Sequence, residues 1–144
     1  MLDEDIPPEQ YTMIADKRLQ RHKVENAHTI MDEYIAKHGV DFDTVITSSD
    51  LIAIGALKSL NENGCRVPED VWLVGYDDIS VSSLVMPPLT TVHQDTDRLG
   101  EEAFSLLNEM IQSGDHRPKQ ISIKNSIVIR ESALNSAAAS AAEA

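Results

Sequence analysis

What most constrains the fold of this chain is an alternation of two periodicities. Thr44-Val45-Ile46-Thr47 is a β-type run. Leu51 to Asn63 follows, apolar on most sides near its start and stopped by Gly64, which reads as a helix. Val71-Trp72-Leu73-Val74-Gly75-Tyr76 is apolar without interruption, the pattern of a strand covered on both faces, with Trp72 as core packing. Thr90-Thr91-Val92 is a further short strand. Leu99, Ala103, Leu106, Leu107, Met110 and Ile111 then recur at helical spacing, with Thr96 as the expected N-cap and Gly114 as the stop. Strands separated by helices and short loops pair in parallel, because a tight hairpin cannot hold a helix. The fold class is therefore α/β: a mainly parallel sheet flanked by helices.

Upstream, Tyr11-Thr12-Met13-Ile14-Ala15 reads as a short strand, and Val24, Ala27, Ile30, Met31, Tyr34 and Ile35 as one face of a helix closed by Gly39. A short helical segment is expected at 80–85. The extended stretches Ile121–Lys124 and Ser126–Arg130 end the ordered pattern. The first ten residues, with Pro7-Pro8, read as a loop, and the Ala/Ser-rich 135–144 as a disordered tail.

In open parallel sheets, ligands bind outside the carboxyl ends of the strands. The polar residues that follow each strand should therefore converge on one edge: Asp16, Ser48-Ser49-Asp50, Asp77-Asp78 and His93-Gln94-Asp95. This edge offers acceptor-only carboxylates, hydroxyls and an amide. Such groups suit ligands that present several donors, such as sugar hydroxyls or a nucleobase edge. Asp50 reads equally well as a helix N-cap or a ligand contact. Asp77 directly follows the apolar strand at the expected binding edge, and Asp78 reads as a solvated or capping neighbour.

Other chemistries are disfavoured. The chain has neither GxGxxG nor GxxxxGK[ST], and no GxSxG elbow. His22, His28, His38, His93 and His116 show no ligand-type spacing, and the single Cys65 excludes both a disulfide framework and a cysteine-rich zinc site. No metal and no cofactor is expected. Lys17, Arg18, Arg21 and Lys23 form one basic cluster, read as a solvated loop. With 12 Lys and Arg against 24 Asp and Glu, the net charge is −12, which argues against DNA or an anionic membrane as a direct partner. The N-terminus lacks the features of a secretion signal, no apolar run is long enough to span a membrane, and the expected location is cytoplasmic.

Five segments, in order, resemble one family. Ser48 to Leu57 is similar to its ND-x-x-A-x-G-A segment, Arg66 to Ile79 to RVPEDVSVVGFDDI, and Pro87 to Gln94 to PPLTTVRQ. Leu99-Gly100 and the closing Val128-Ile129-Arg130-Glu131-Ser132 complete the order. The family is the lactose-repressor/galactose-repressor (LacI/GalR) group of bacterial transcription regulators. The resemblance implies a periplasmic-binding-protein-like (type I) effector domain of two lobes. Residues 1–134 would be a partial effector-binding and dimerisation domain, mostly the C-terminal lobe, with the helix 96–113 belonging to the N-terminal lobe.

The resemblance also implies residue roles. Asp77 matches an effector-contacting aspartate, Gln94 a crossover-strand position near the ligand, Ser49 a position usually held by Asn, and Asp50 the aspartate after it. Leu51, Ile54, Leu57, Ile79 and Leu84 lie in segments through which the family dimerises. The implied function is ligand sensing without catalysis. The partners are a small sugar or nucleobase-like effector, a second copy of the chain, and DNA only through a helix-turn-helix headpiece not in this sequence. The part present here is expected to bind sugars weakly or not at all and to self-associate through exposed apolar surface. Two alternatives fit parts of the same sequence. One is a solute receptor of the same fold. The other is a Mg²⁺-dependent phosphotransferase using the acidic pair after the apolar strand.

Overall fold

The computed structural model describes residues 11–21, 23–115 and 117–134; the expected N-terminal loop and Ala/Ser-rich tail lie outside the described residues. A short 3-10 turn over Lys17–Arg21 leads into α1 (Val24–His38). Then come β1 (Thr44–Ile46), α2 (Asp50–Glu62), β2 (Trp72–Asp77), a 3-10 turn over Ser80–Ser83, β3 (Thr90–His93), α3 (Thr96–Ser113), β4 (Ser126–Val128) and a last 3-10 turn over Glu131–Ala133. The four strands form one sheet in the order β1-β2-β3-β4. β1, β2 and β3 are parallel, and β4 returns antiparallel against β3. The mainly parallel α/β sheet read from the sequence is thus the observed fold.

The core lies between the sheet and the α1/α2 pair. Met31 from α1, Ala53, Ala56, Leu57 and Leu60 from α2, Leu73 from β2, and Val67, Val71 and Leu89 from the connections are buried together. Each large aliphatic side chain in such a cluster contributes about 1.5–3 kcal/mol relative to exposure. With so few aromatic residues, stability here is aliphatic packing. Two glycines set how closely the layers approach. A Cβ on Gly55 would fall on the Val24 carbonyl and the Ala27 side chain, so α2 touches α1 there backbone to backbone. A Cβ on Gly75 would fall on the Asp50 carboxylate and crowd Leu89, so β2 passes directly beneath the start of α2.

Several expectations are corrected. Tyr11 to Ala15 forms no strand and pairs with none among the described residues, because a β-type run without a ladder partner leaves its backbone groups unpaired by any sheet. β2 is not covered on both faces. Its burial alternates, with Leu73 and Gly75 buried against the α2 side while Trp72 is substantially exposed on the other. Ile46, in β1, is 77% exposed. The continuous apolar run therefore marks a sheet whose second face is open here. The cap of α3 is Asp95, whose side chain accepts from Arg98 N, and not Thr96. Asp50 does not cap α2. Ser49 does, its Oγ accepting from Ile52 N.

The carboxyl edge as candidate functional site

Asp50 is completely buried, and three donors converge on its carboxylate. Oδ1 accepts from Thr91 Oγ1 at 2.5 Å, and Oδ2 accepts from Ser82 Oγ at 2.6 Å and from Ile79 N at 2.9 Å. Asp50 thus ties the start of α2 to β3 and to the turn after β2. A buried carboxylate is tolerated only when its lone pairs are filled in this way. The structure makes it a brace behind the edge and not a group presented to solvent.

Asp77 ends β2 with φ 112° and Asp78 follows with φ 56°, two consecutive non-glycine residues in the positive-φ region. Such backbone is strained by about 1–3 kcal/mol per residue, and it persists where the surroundings over-determine it. The surroundings here are specific. Gln94 Nε2, just past the end of β3, donates to Asp77 Oδ1 at 2.7 Å. Among the described residues, this is the hydrogen bond the Asp77 carboxylate accepts. Asp78 turns to the other side. Arg130 Nη2 donates to its Oδ1 at 2.7 Å, and His93 Nδ1 lies 3.0 Å from its Oδ2.

Burial pushes the Asp78 carboxyl up, but Arg130 and His93 more than offset this and hold it below the ordinary value. Arg130 is itself fixed, with Nη1 on the Leu89 carbonyl at 2.8 Å and its backbone locked to Thr90 Oγ1. Next to it, Ser132 Oγ donates to the Leu73 carbonyl and accepts from Thr90 N. The C-terminal Arg130–Ser132 segment is therefore welded across the ends of β2 and β3. Its contribution to the edge was missed in the sequence, because Arg130 stands 52 residues from the carboxylate it clamps.

The neighbouring acids thus serve different partners. Asp77 stands with Gln94, and Asp78 is engaged by Arg130 and His93, so the pair does not form the shared carboxylate site that Mg²⁺ chemistry requires. Asp16 is occupied by Arg18, whose hydrogen bonds lower its pKa to about 2, and the same guanidinium reaches Glu33. Of the basic cluster, Arg18 is accordingly neutralised, and His22 lies outside the described residues. Two open grooves border the edge. One of about 420 Å³ places Asp16 and Leu19 opposite Ser48, and one of about 220 Å³ places Gln94 beside Leu99, Ile121 and Asn125. The edge residues are gathered at one end of the sheet but not into one enclosed cavity.

Of the residues expected at an interface, Leu57 is buried in the core between α2 and the sheet and is unavailable, because it faces Leu73 and not solvent. Ile54 and Ile79 are half-buried, Leu51 is at the margin of exposure, and Leu84 is 79% exposed beside the equally exposed Met86. α3 has no buried residue. Leu99, Phe104, Leu107 and Ile111 are all exposed along it. No helix among the described residues is long and apolar enough to cross a membrane.

Comparison with known proteins agrees with this arrangement. Residues 4–133 match the periplasmic binding protein-like domain. The transcriptional regulator GalR of Lacticaseibacillus casei is 34% identical over 114 residues, covering 76% of this chain and 34% of GalR. A LacI family transcriptional regulator from Arthrobacter sp. FB24, solved in complex with lactose, superposes with a TM-score of 0.71 at 30% identity, covering 78% of this chain and 42% of that one. The lac repressor dimer bound to operator and the anti-inducer ONPF gives 0.72 at 29% identity, covering 78% and 39%. The chain spans about a quarter to a third of the length of the curated relatives it matches. A parallel sheet with acids at its carboxyl edge, the ordered motifs and these likenesses converge: the chain belongs to the periplasmic binding protein-like family as an effector-binding domain of the LacI/GalR type of transcription regulators.

Proposed function

We propose that this chain senses a small polyhydroxylated or nucleobase-like effector at the carboxyl edge of its sheet and transmits that state through a dimer to a DNA-binding headpiece. The observation that carries this reading is Asp77. It is an acceptor-only group held by Gln94 in strained backbone at the end of a central parallel strand. Strain retained at a strand end is expected where a side chain must point at a ligand. Ser49 caps α2 behind the same edge, and Asp50 supports it from the interior. The relatives solved with lactose, cellobiose and ribose support a sugar as the effector class.

The protein performs no chemistry in this reading and works in the cytoplasm. A ligand acts only through its different affinity for two lobe arrangements, which biases the headpiece. Dimerisation would use Leu51, Ile54 and Ile79 together with the exposed Leu84. α3, whose apolar face is uncovered here, would pack in the N-terminal lobe. Because a single lobe edge binds weakly, the test is amide chemical-shift mapping of the ¹⁵N-labelled chain against a panel of mono- and disaccharides and nucleobases at millimolar concentration. Shifts at Tyr76, Asp77 and Gln94 that vanish in Asp77→Asn are expected. If the whole panel leaves these amides unmoved while other residues shift, the site assignment is wrong.

A further inference from the structure

At the opposite end of α2 from the carboxyl edge, three ligating side chains meet. Asp50 and Glu62 are the first and last residues of this helix, and 12 residues at about 1.5 Å rise each separate them by about 18 Å. His28 and Asp32 are one turn apart on α1 and present the same face to Glu62. His28 Nε2 lies 2.6 Å from Glu62 Oε2 and 3.4 Å from Asp32 Oδ2. One ligand atom from each of the three lies within 4.8 Å of the others. We propose that His28, Asp32 and Glu62 form a binding site for a divalent transition ion of the Zn²⁺ class, clipping α1 to α2.

The supporting shell favours this over an accidental cluster. Asp32 has its other oxygen, Oδ1, fixed by Ser59 Oγ of α2 at 2.5 Å and by Nδ2 of Asn63, the C-cap of α2, at 3.1 Å. That leaves Oδ2 directed at His28. Lys58 lies 3.7 Å from Glu62 Oε1, which leaves Oε2 as the oxygen turned inward. Asp32 thus has one oxygen held by hydrogen bonds and one aimed at the imidazole, while Glu62 has one oxygen in a longer ion pair with Lys58 and one on the imidazole. This is the outer-shell orientation that fixes metal ligands. Tetrahedral coordination with bonds of about 2.0–2.2 Å needs ligand atoms about 3.4 Å apart. The His28–Asp32 separation already matches. The His28–Glu62 contact must open by about 0.8 Å as the ion replaces the proton between them.

One nitrogen and two carboxylate oxygens leave a fourth position for water, and this donor set favours Zn²⁺ over Mg²⁺, which requires six oxygens. The spacing escapes a scan for histidine pairs because the set holds one histidine and its third member comes 34 residues later.

The test is isothermal titration of the chelator-stripped 144-residue chain with ZnCl₂, with MgCl₂ as control. Circular dichroism of every variant in EDTA verifies the fold. One Zn²⁺ per chain in the micromolar range is expected. At least tenfold weakening should follow in Glu62→Gln, whose exposed side chain makes loss of fold implausible, and in His28→Gln. Zn²⁺ should raise the melting temperature of the wild type but of neither variant. Zn²⁺ binding of unchanged affinity in Glu62→Gln and His28→Gln, or absence of any saturable binding, would overturn the proposal. So would Mg²⁺ binding as tightly as Zn²⁺.

Discussion

Truncating Asp50 to alanine removes the acceptor shared by Thr91 Oγ1, Ser82 Oγ and Ile79 N. Thr91 and Ser82 are fully buried, so their hydroxyls cannot turn to bulk water. Each buried polar group left without a partner costs about 1–3 kcal/mol. Two such groups plus the half-buried Ile79 amide give a loss of about 3–6 kcal/mol. A domain of this size is stable by about 5–15 kcal/mol in total, so the variant should be close to unfolding.

Asp50→Asn behaves differently. Its carbonyl can stay on the side of Ile79 N and Ser82 Oγ, and its amide then faces Thr91 Oγ1, which rotates from donor to acceptor. The loss falls to about 1–2 kcal/mol. Urea unfolding followed by circular dichroism separates the two. With a slope of about 2 kcal/mol/M, alanine should lower the midpoint by about 1.5–3 M and asparagine by about 0.5–1 M. Equal losses in the two variants would refute the reasoning, since asparagine keeps the side-chain volume and an acceptor for Ile79 N and Ser82 Oγ, and alanine keeps neither. An alanine variant within about 0.5 M of wild type would do the same.

Other outcomes follow from the same geometry. Asp77→Gly should raise stability by about 1 kcal/mol in the same urea assay, because glycine relieves φ 112°. Asp77→Ala, which loses the same Gln94 bond but keeps a Cβ, is the control, and a glycine variant no more stable than the alanine one would show the backbone is not strained. Asp78 has a lowered folded pKa, so its contribution is present above the ordinary carboxylate range and disappears as the pH falls through the lowered value. The midpoint difference between wild type and Asp78→Asn should therefore shrink below about pH 4, and a difference that grows on acidification contradicts the Arg130–His93 clamp. Gly55→Ala should cost about 1–3 kcal/mol by forcing α1 away from α2, whereas the same change at the open Gly100 of α3 should be neutral or stabilising by melting temperature. Leu84→Glu, at the proposed dimer face, should shift the chain toward monomer in sedimentation velocity without changing its melting temperature in dilute solution; an unchanged distribution argues for another face.

Much of the fold was legible because it rests on local rules. Helix α1 follows from its apolar spacing, and α2 and α3 from their flanking strand ends and glycine stops. β2 and β3 were legible as short β-type runs bounded by turns. Tyr11 to Ala15 shows where this fails. A strand is defined by its partner, and nothing within five residues announces that the partner is absent. The helix caps show the same limit on a smaller scale. Ser49, Asp50, Asp95 and Thr96 are all competent caps, and adjacent candidates differ only in which backbone dihedral the surrounding packing imposes.

The candidate site divides along the same line. That acids follow the parallel strands is a property of the sequence, and so is their gathering at one end, since parallel crossovers bring every strand to the same edge. What each acid does there was decided by residues far away in the chain. Asp50 is a brace because Ser82 and Thr91 arrive 32 and 41 residues later. Asp78 is a clamp because Arg130 arrives 52 residues later. Leu57 is core and not interface because β2 runs beneath α2, and Trp72 is exposed because no layer among the described residues covers that face. The meeting of His28 and Asp32 with Glu62 depends on Gly55, which lets the two helices approach closely enough for the middle turns of α1 to meet the last turn of α2. The sequence by itself determined the alternation of elements and the edge on which polar groups collect, because periodicity and chain crossover are local and additive. The tertiary structure alone decided which polar group is spent on the interior and which stays at the edge, because hydrogen-bond saturation is settled only when distant segments meet.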